Sequence, residues 1–190
     1  MTPRLATLLT LADLSIAELC SARLDGEVFM IGDSWCPIDE IDGSENRARA
    51  LAQLGSPRLI NERSSAAWVY GDAPEPMVHE FCLNARTRSR LGDSPRVRIR
   101  QGHCAAERTQ PLGGVAVTQP LCTAVDLARF SDQPAQQLLP VLARLLRRSG
   151  PDALTLARRD CQHPTGSTTA LALARLTEAA ALPNQPSLTR

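Results

Sequence analysis

Residues 96 to 100 read Arg-Val-Arg-Ile-Arg. In an extended chain successive side chains point to opposite faces, so Val97 and Ile99 share one face and the three arginines share the other. Such a segment predicts a strand over 95–101, with its apolar face on a core and its cationic face toward solvent or an anion. Met77 to Leu83 and Gly114 to Val117 are two more runs of strand character, and Arg58-Leu59-Ile60 is a shorter one. Helical patterns flank them. Glu45 to Leu54 closes at Gly55-Ser56-Pro57, and Glu62 to Tyr70 closes at Gly71, with Asn61 as its expected N-cap. Leu121 to Phe130 follows Thr118-Gln119-Pro120, which places Pro120 in the first turn, where its missing N–H is harmless. Gln133 to Arg148, Asp152 to Cys161 and Thr165 to Leu182 make the rest helical.

The first forty residues have a separate pattern. Leu5, Leu8, Leu9 and Ala12 stand at helical spacing, which predicts a helix over 3–12. Ser15 and Glu18 form a capping box for a second helix that ends at Asp25-Gly26. Glu27–Ile31 and Ser34–Ile38 then flank Gly32-Asp33 as a hairpin. Helix, turn, helix and hairpin is the order of a winged helix, here short by one helix. The expected fold class is α+β: a small degenerate winged helix-turn-helix over 1–43, an α/β domain with a short mixed sheet and a helical C-terminal region over 44–182, and a flexible tail over 183–190.

All 21 basic residues are Arg, and the chain has no Lys. That excludes a Walker-type phosphate lysine, a Schiff-base lysine and a kinase-type lysine. A G-x-S-x-G nucleophile elbow is absent too. His79, Cys82, His103 and Cys104 are the residues from which a zinc site would be built. Strand geometry turns His79 from Cys82 and His103 from Cys104, so no metal is expected. Neither catalytic residues nor a cofactor are expected. Six aromatic residues are too few for a platform that stacks single-stranded bases. The six cysteines are widely spaced and read as buried small hydrophobes. With no signal peptide and no apolar run of membrane-spanning length, the expected location is the cytoplasm.

The net charge of +1 conceals an asymmetry. No basic residue stands between Glu27 and Glu45, whereas Arg86, Arg88, Arg90, Arg96, Arg98 and Arg100 crowd one central stretch. Phosphate neutralisation supplies most non-specific affinity for DNA, so this stretch is the expected phosphate-contacting surface, with Ser15 and the helix after it entering a groove. The competing reading is a solvated strand face.

Three stretches together resemble AbiEi-like proteins. Asn61-Glu62-Arg63-Ser64-Ser65-Ala66-Ala67-Trp68-Val69-Tyr70-Gly71 is similar to their S-H-R-S-A-A-x-x-x-G segment. Arg96 to Arg100 resembles their R-V-R-V-H strand, and Gly114 to Arg129 resembles their G-I-P-V-T-S-P-A-R-T-L-L-D-L-A-R block. The likeness spans about residues 14 to 160 and gives Arg63, Ser64, Thr118, Pro120 and Asp126 as motif positions. It implies an antitoxin of a type IV toxin–antitoxin system or a related transcriptional regulator. An N-terminal winged helix would bind operator DNA, and the following domain would oppose a nucleotidyltransferase-like toxin. The chain departs from the family in its hairpin, where Asp33, Ser34 and Trp35 stand in place of basic residues and a tyrosine. Two other functions compete: an interaction module that meets a basic partner through its acidic hairpin, and a hydrolase or nuclease, for which the chain offers no converging acid–base set.

Overall fold

The computed structural model describes residues 7–56, 58–84, 94–161 and 168–183. The chain forms two compact units, Met1–Val117 and Thr118–Arg190. The class is α+β, with two-stranded and five-stranded sheets and seven α-helices among the described residues.

In the first unit, α1 (Ile16–Leu24) opens on the capping box that its sequence requires. The Ser15 backbone N–H and hydroxyl both donate to Glu18 Oε2, at 2.9 and 2.7 Å, and the Ser15 hydroxyl accepts from the Glu18 N–H. Nine residues are too few for a stable isolated helix, so α1 depends on this cap and on Leu19, its one fully buried side chain. Burial of a leucine contributes about 2 kcal/mol. Leu19 packs with Leu9, Val28 and Trp35. The hairpin β1 (Val28–Ile31) and β2 (Ser34–Pro37) pairs in antiparallel register around Gly32-Asp33, as expected.

The expected helix over 3–12 does not form across its described residues. Leu9 instead bridges to Trp35 with two backbone hydrogen bonds, of 2.7 and 3.0 Å, extending the hairpin sheet. Leu8 and Leu9 are both buried, and so short an apolar run does not distinguish helix from extended chain by its spacing alone.

Beyond α2 (Ser44–Ala52), the five-stranded sheet is built from β3 (Ile60–Asn61), β4 (His79–Asn84), β5 (Val97–Gly102), β6 (Thr109–Leu112) and β7 (Val115–Thr118). The order across the sheet is β5-β4-β3-β7-β6, so β5 is an edge among the described strands. Strand β3 pairs antiparallel with β4 and parallel with β7, and β4 pairs parallel with β5. Helix α3 (Arg63–Val69) packs on β4 through Trp68, whose ring lies 5.7 Å from that of His79. Ile60, Cys82 and Cys104 form a core cluster, with Ala116 against it. Asn61 does not cap α3. It is buried in β3, where its amide donates to the Ala116 carbonyl at 3.0 Å.

The second unit contains α4 (Pro120–Phe130), α5 (Ala135–Arg148), α6 (Ala153–Cys161) and α7 (Thr169–Ala180). Helix α4 packs against the other three, and Leu138, Leu142, Leu145 and Leu176 are fully buried. Among the described residues, no helix is long and apolar enough to cross a membrane.

Candidate nucleic-acid interface

The three arginines of the 96–100 stretch do not share one environment. Arg96, just before β5, donates through Nη1 to both oxygens of Asp33, at 2.5 and 2.7 Å, and through Nη2 to Glu75 at 3.2 Å. The hydrogen bond from Asp33, more than any other influence, holds Arg96 more firmly protonated than a free guanidinium. Arg100 grips Glu62 through Nε at 3.1 Å and Nη2 at 2.6 Å. Arg98, between them on the edge strand, is exposed and makes no hydrogen bond or ion pair among the described residues. Its register neighbour on β4 is Glu80, which is engaged elsewhere. Arg86, Arg88 and Arg90 lie outside the described residues.

The first motif stretch builds a charge network at the start of α3. Glu62, only 2% exposed, precedes Arg63, which has a φ of +50°. That left-handed conformation is unfavourable for a residue with a β-carbon. Arg63 is held there within reach of two carboxylates, Glu80 at 3.5 Å and Glu62 at 3.9 Å. Glu80 accepts from the Ser64 backbone N–H at 3.3 Å, while its own N–H donates to the Ser65 hydroxyl at 2.7 Å. On the opposite face of β4, His79 is buried with Nε2 3.5 Å from Glu75. Burial pushes its pKa below the ordinary histidine value. The Arg96 charge acts in the same direction, and Glu75 and Asp33 oppose it.

The Ser15 hydroxyl is engaged in its own capping box. Thr118 is buried, with its hydroxyl 2.7 Å from that of Thr123, which also lies 3.0 Å from the Thr118 and Gln119 carbonyl oxygens. Pro120 is the first residue of α4. Asp126, half-buried on the same helix, is one of the charges acting on the Cys161 thiol. Burial is the main cause of that thiol's raised pKa. The structure thus brings Arg63 and Ser64 together with the Arg100 anchor on β5, and places Thr118 and Pro120 at the start of α4. Ser15 belongs to neither group.

The acidic partners Asp33, Glu62, Glu75 and Glu80 carry no signal in the sequence. Arg96 and Asp33 are 63 positions apart and Arg100 and Glu62 are 38, so no local spacing marks either pair. A cavity of about 420 Å³ beside the hairpin tip is lined by Thr10, Leu11, Met30, Asp33, Trp35 and Gln53 among others, and its wall is mostly apolar. Among the described residues, no group of three or more histidine, cysteine or acidic side chains is arranged to hold a metal ion.

The architecture and the surface define an α+β protein with an arginine-bearing sheet edge. No protein-family model and no curated protein matches this chain. A solved structure that it is similar to is the crystal structure of the RV2827C protein from Mycobacterium tuberculosis, at 19% identity and a TM-score of 0.39, covering 85% of this chain and 69% of that one.

Proposed function

We propose that this chain is a DNA-binding regulator or antitoxin of the AbiEi-like kind, acting in the cytoplasm by association and not by bond chemistry. The observation that supports this reading most is Arg98, exposed on β5 and without an ion pair among the described residues, in the same stretch of sequence as Arg86, Arg88 and Arg90. A guanidinium with no internal acid is free to neutralise a phosphate, and each such contact releases counterions and adds to the salt dependence of binding. In this reading Arg86, Arg88, Arg90 and Arg98 contact phosphates, while Arg100 positions the strand through Glu62. Ser15 orders α1, whose residues other than Leu19 and Ala22 are exposed and available to a groove. Arg63, Ser64, Thr118, Pro120 and Asp126 act as scaffold. Opposition to a nucleotidyltransferase-like toxin would follow from the antitoxin form of this function.

Fluorescence anisotropy with duplex DNA from upstream of the chain's own gene tests the reading. Binding tighter than to a scrambled duplex supports it, and equal or absent binding contradicts operator recognition. A second reading draws on the exposed Ile16, Leu24 and Met30 of the helix and hairpin, which suit a protein partner. It predicts no duplex binding at moderate salt.

A further inference from the structure

The hairpin tip does not stand free of the sheet in its own unit. Gly32, at φ +57°, comes so near α2 and α3 that a β-carbon there would lie 3.5 Å from Trp68, 3.7 Å from Glu75 and 3.8 Å from Ala50. The next residue, Asp33, presents both carboxylate oxygens to Nη1 of Arg96. Both groups are about half exposed, so the pair lies where solvent and an incoming ligand reach it. A carboxylate and a phosphate are alternative partners for one guanidinium, since each offers charged oxygens to its N–H donors. An exposed pair of this kind is worth little by itself, so a ligand phosphate has only a small cost to overcome in replacing Asp33.

We propose that the Asp33–Arg96 contact is autoinhibitory: Asp33 occupies the guanidinium that a phosphate of duplex DNA would take, and holds the hairpin tip down on the sheet until it is displaced. The proposal rests on the reading of the chain as a DNA-binding protein. In that reading Arg96 joins Arg98 as a phosphate contact only after Asp33 lets go, which couples hairpin release to binding. Glu75, the second acid on Arg96, keeps the side chain in place during the exchange.

The test compares the unmodified protein with Asp33→Asn, Arg96→Ala and the double variant, using a short random-sequence duplex and, separately, inorganic polyphosphate. Circular dichroism checks that each variant is folded, and Asp33→Ser serves as a second charge-removing variant if Asp33→Asn is not. The expected result is that Asp33→Asn binds the duplex roughly three- to ten-fold tighter, with a salt slope steeper by about one. The double variant should bind no tighter than Arg96→Ala alone. A gain that survives in the Arg96→Ala background overturns the proposal, because it reports only a loss of overall negative charge. Absence of a gain with both probes overturns it as well, whether or not the unmodified protein binds DNA. A gain with polyphosphate alone, with duplex left unbound by every form, keeps the autoinhibitory contact and rejects duplex DNA as its ligand.

Discussion

Arg100 holds Glu62 by two hydrogen bonds, Nε to Oε1 at 3.1 Å and Nη2 to Oε2 at 2.6 Å, and so ties the edge strand to the residue that opens α3. Glu62 is almost fully buried and Arg100 is 43% exposed, so the arginine shields a carboxylate that solvent does not reach. Arg100→Ala is expected to destabilise the fold by about 2 kcal/mol. That is less than for a fully buried pair, because Arg100 is partly solvated and Arg63 remains nearby. Urea denaturation measures it. Glu62→Gln in the Arg100→Ala background should recover part of the loss, and no recovery would mean that the bidentate pair does not carry the effect.

Arg63 is the one described non-glycine residue with a positive φ. Glycine adopts that conformation without a β-carbon penalty, whereas alanine does not. Both substitutions remove the same ion pairs. Arg63→Ala is therefore expected to be less stable than Arg63→Gly by about 1 kcal/mol in paired urea titrations.

The buried His79 gives stability a pH dependence of known sign. Its folded pKa lies below the ordinary value of 6.5 because burial disfavours the charged ring. Below pH 6.5 the unfolded chain binds a proton that the folded chain does not, so stability is lost as pH falls from there through the lowered folded pKa. Between about pH 7 and pH 5, denaturation midpoints should fall for the unmodified protein and change less for His79→Gln.

All six cysteines are free thiols, and only Cys20, on α1, is exposed. Burial raises the pKa of Cys36 and Cys161, keeping both as thiols. A thiol-alkylating reagent applied to the folded protein should modify Cys20 first, and mass spectrometry of the peptides reads the order. Early modification of Cys82 or Cys122 would contradict the packing described.

Local chemistry made much of this architecture legible. The alternation in residues 96–100 marked β5, Ser15 and Glu18 marked the start of α1, and Pro120 marked the start of α4. Strand β6 was missed because Thr109-Gln110-Pro111-Leu112 has neither alternation nor a dense apolar run. Its clearest signal was Gly113-Gly114, both at positive φ, the composition of a two-residue hairpin turn. Asn61 misled because the preference of asparagine for helix caps is a local property, and here burial beside Ala116 prevailed. The charge on the candidate surface was the least legible part. Arg96, Arg98 and Arg100 are equivalent in sequence, and only acids brought in from distant positions make Arg98 different.

That difference makes Arg98 the residue on which the proposed association with a polyanion is tested. The measurement is the dependence of duplex affinity on salt between about 50 and 200 mM, for the unmodified protein and for Arg98→Ala. The expected result is a linear decline of log affinity with log salt, and a slope shallower by about one in the variant with its stability unchanged within about 0.5 kcal/mol. An identical slope in the two proteins, or duplex binding that does not respond to salt, would contradict it.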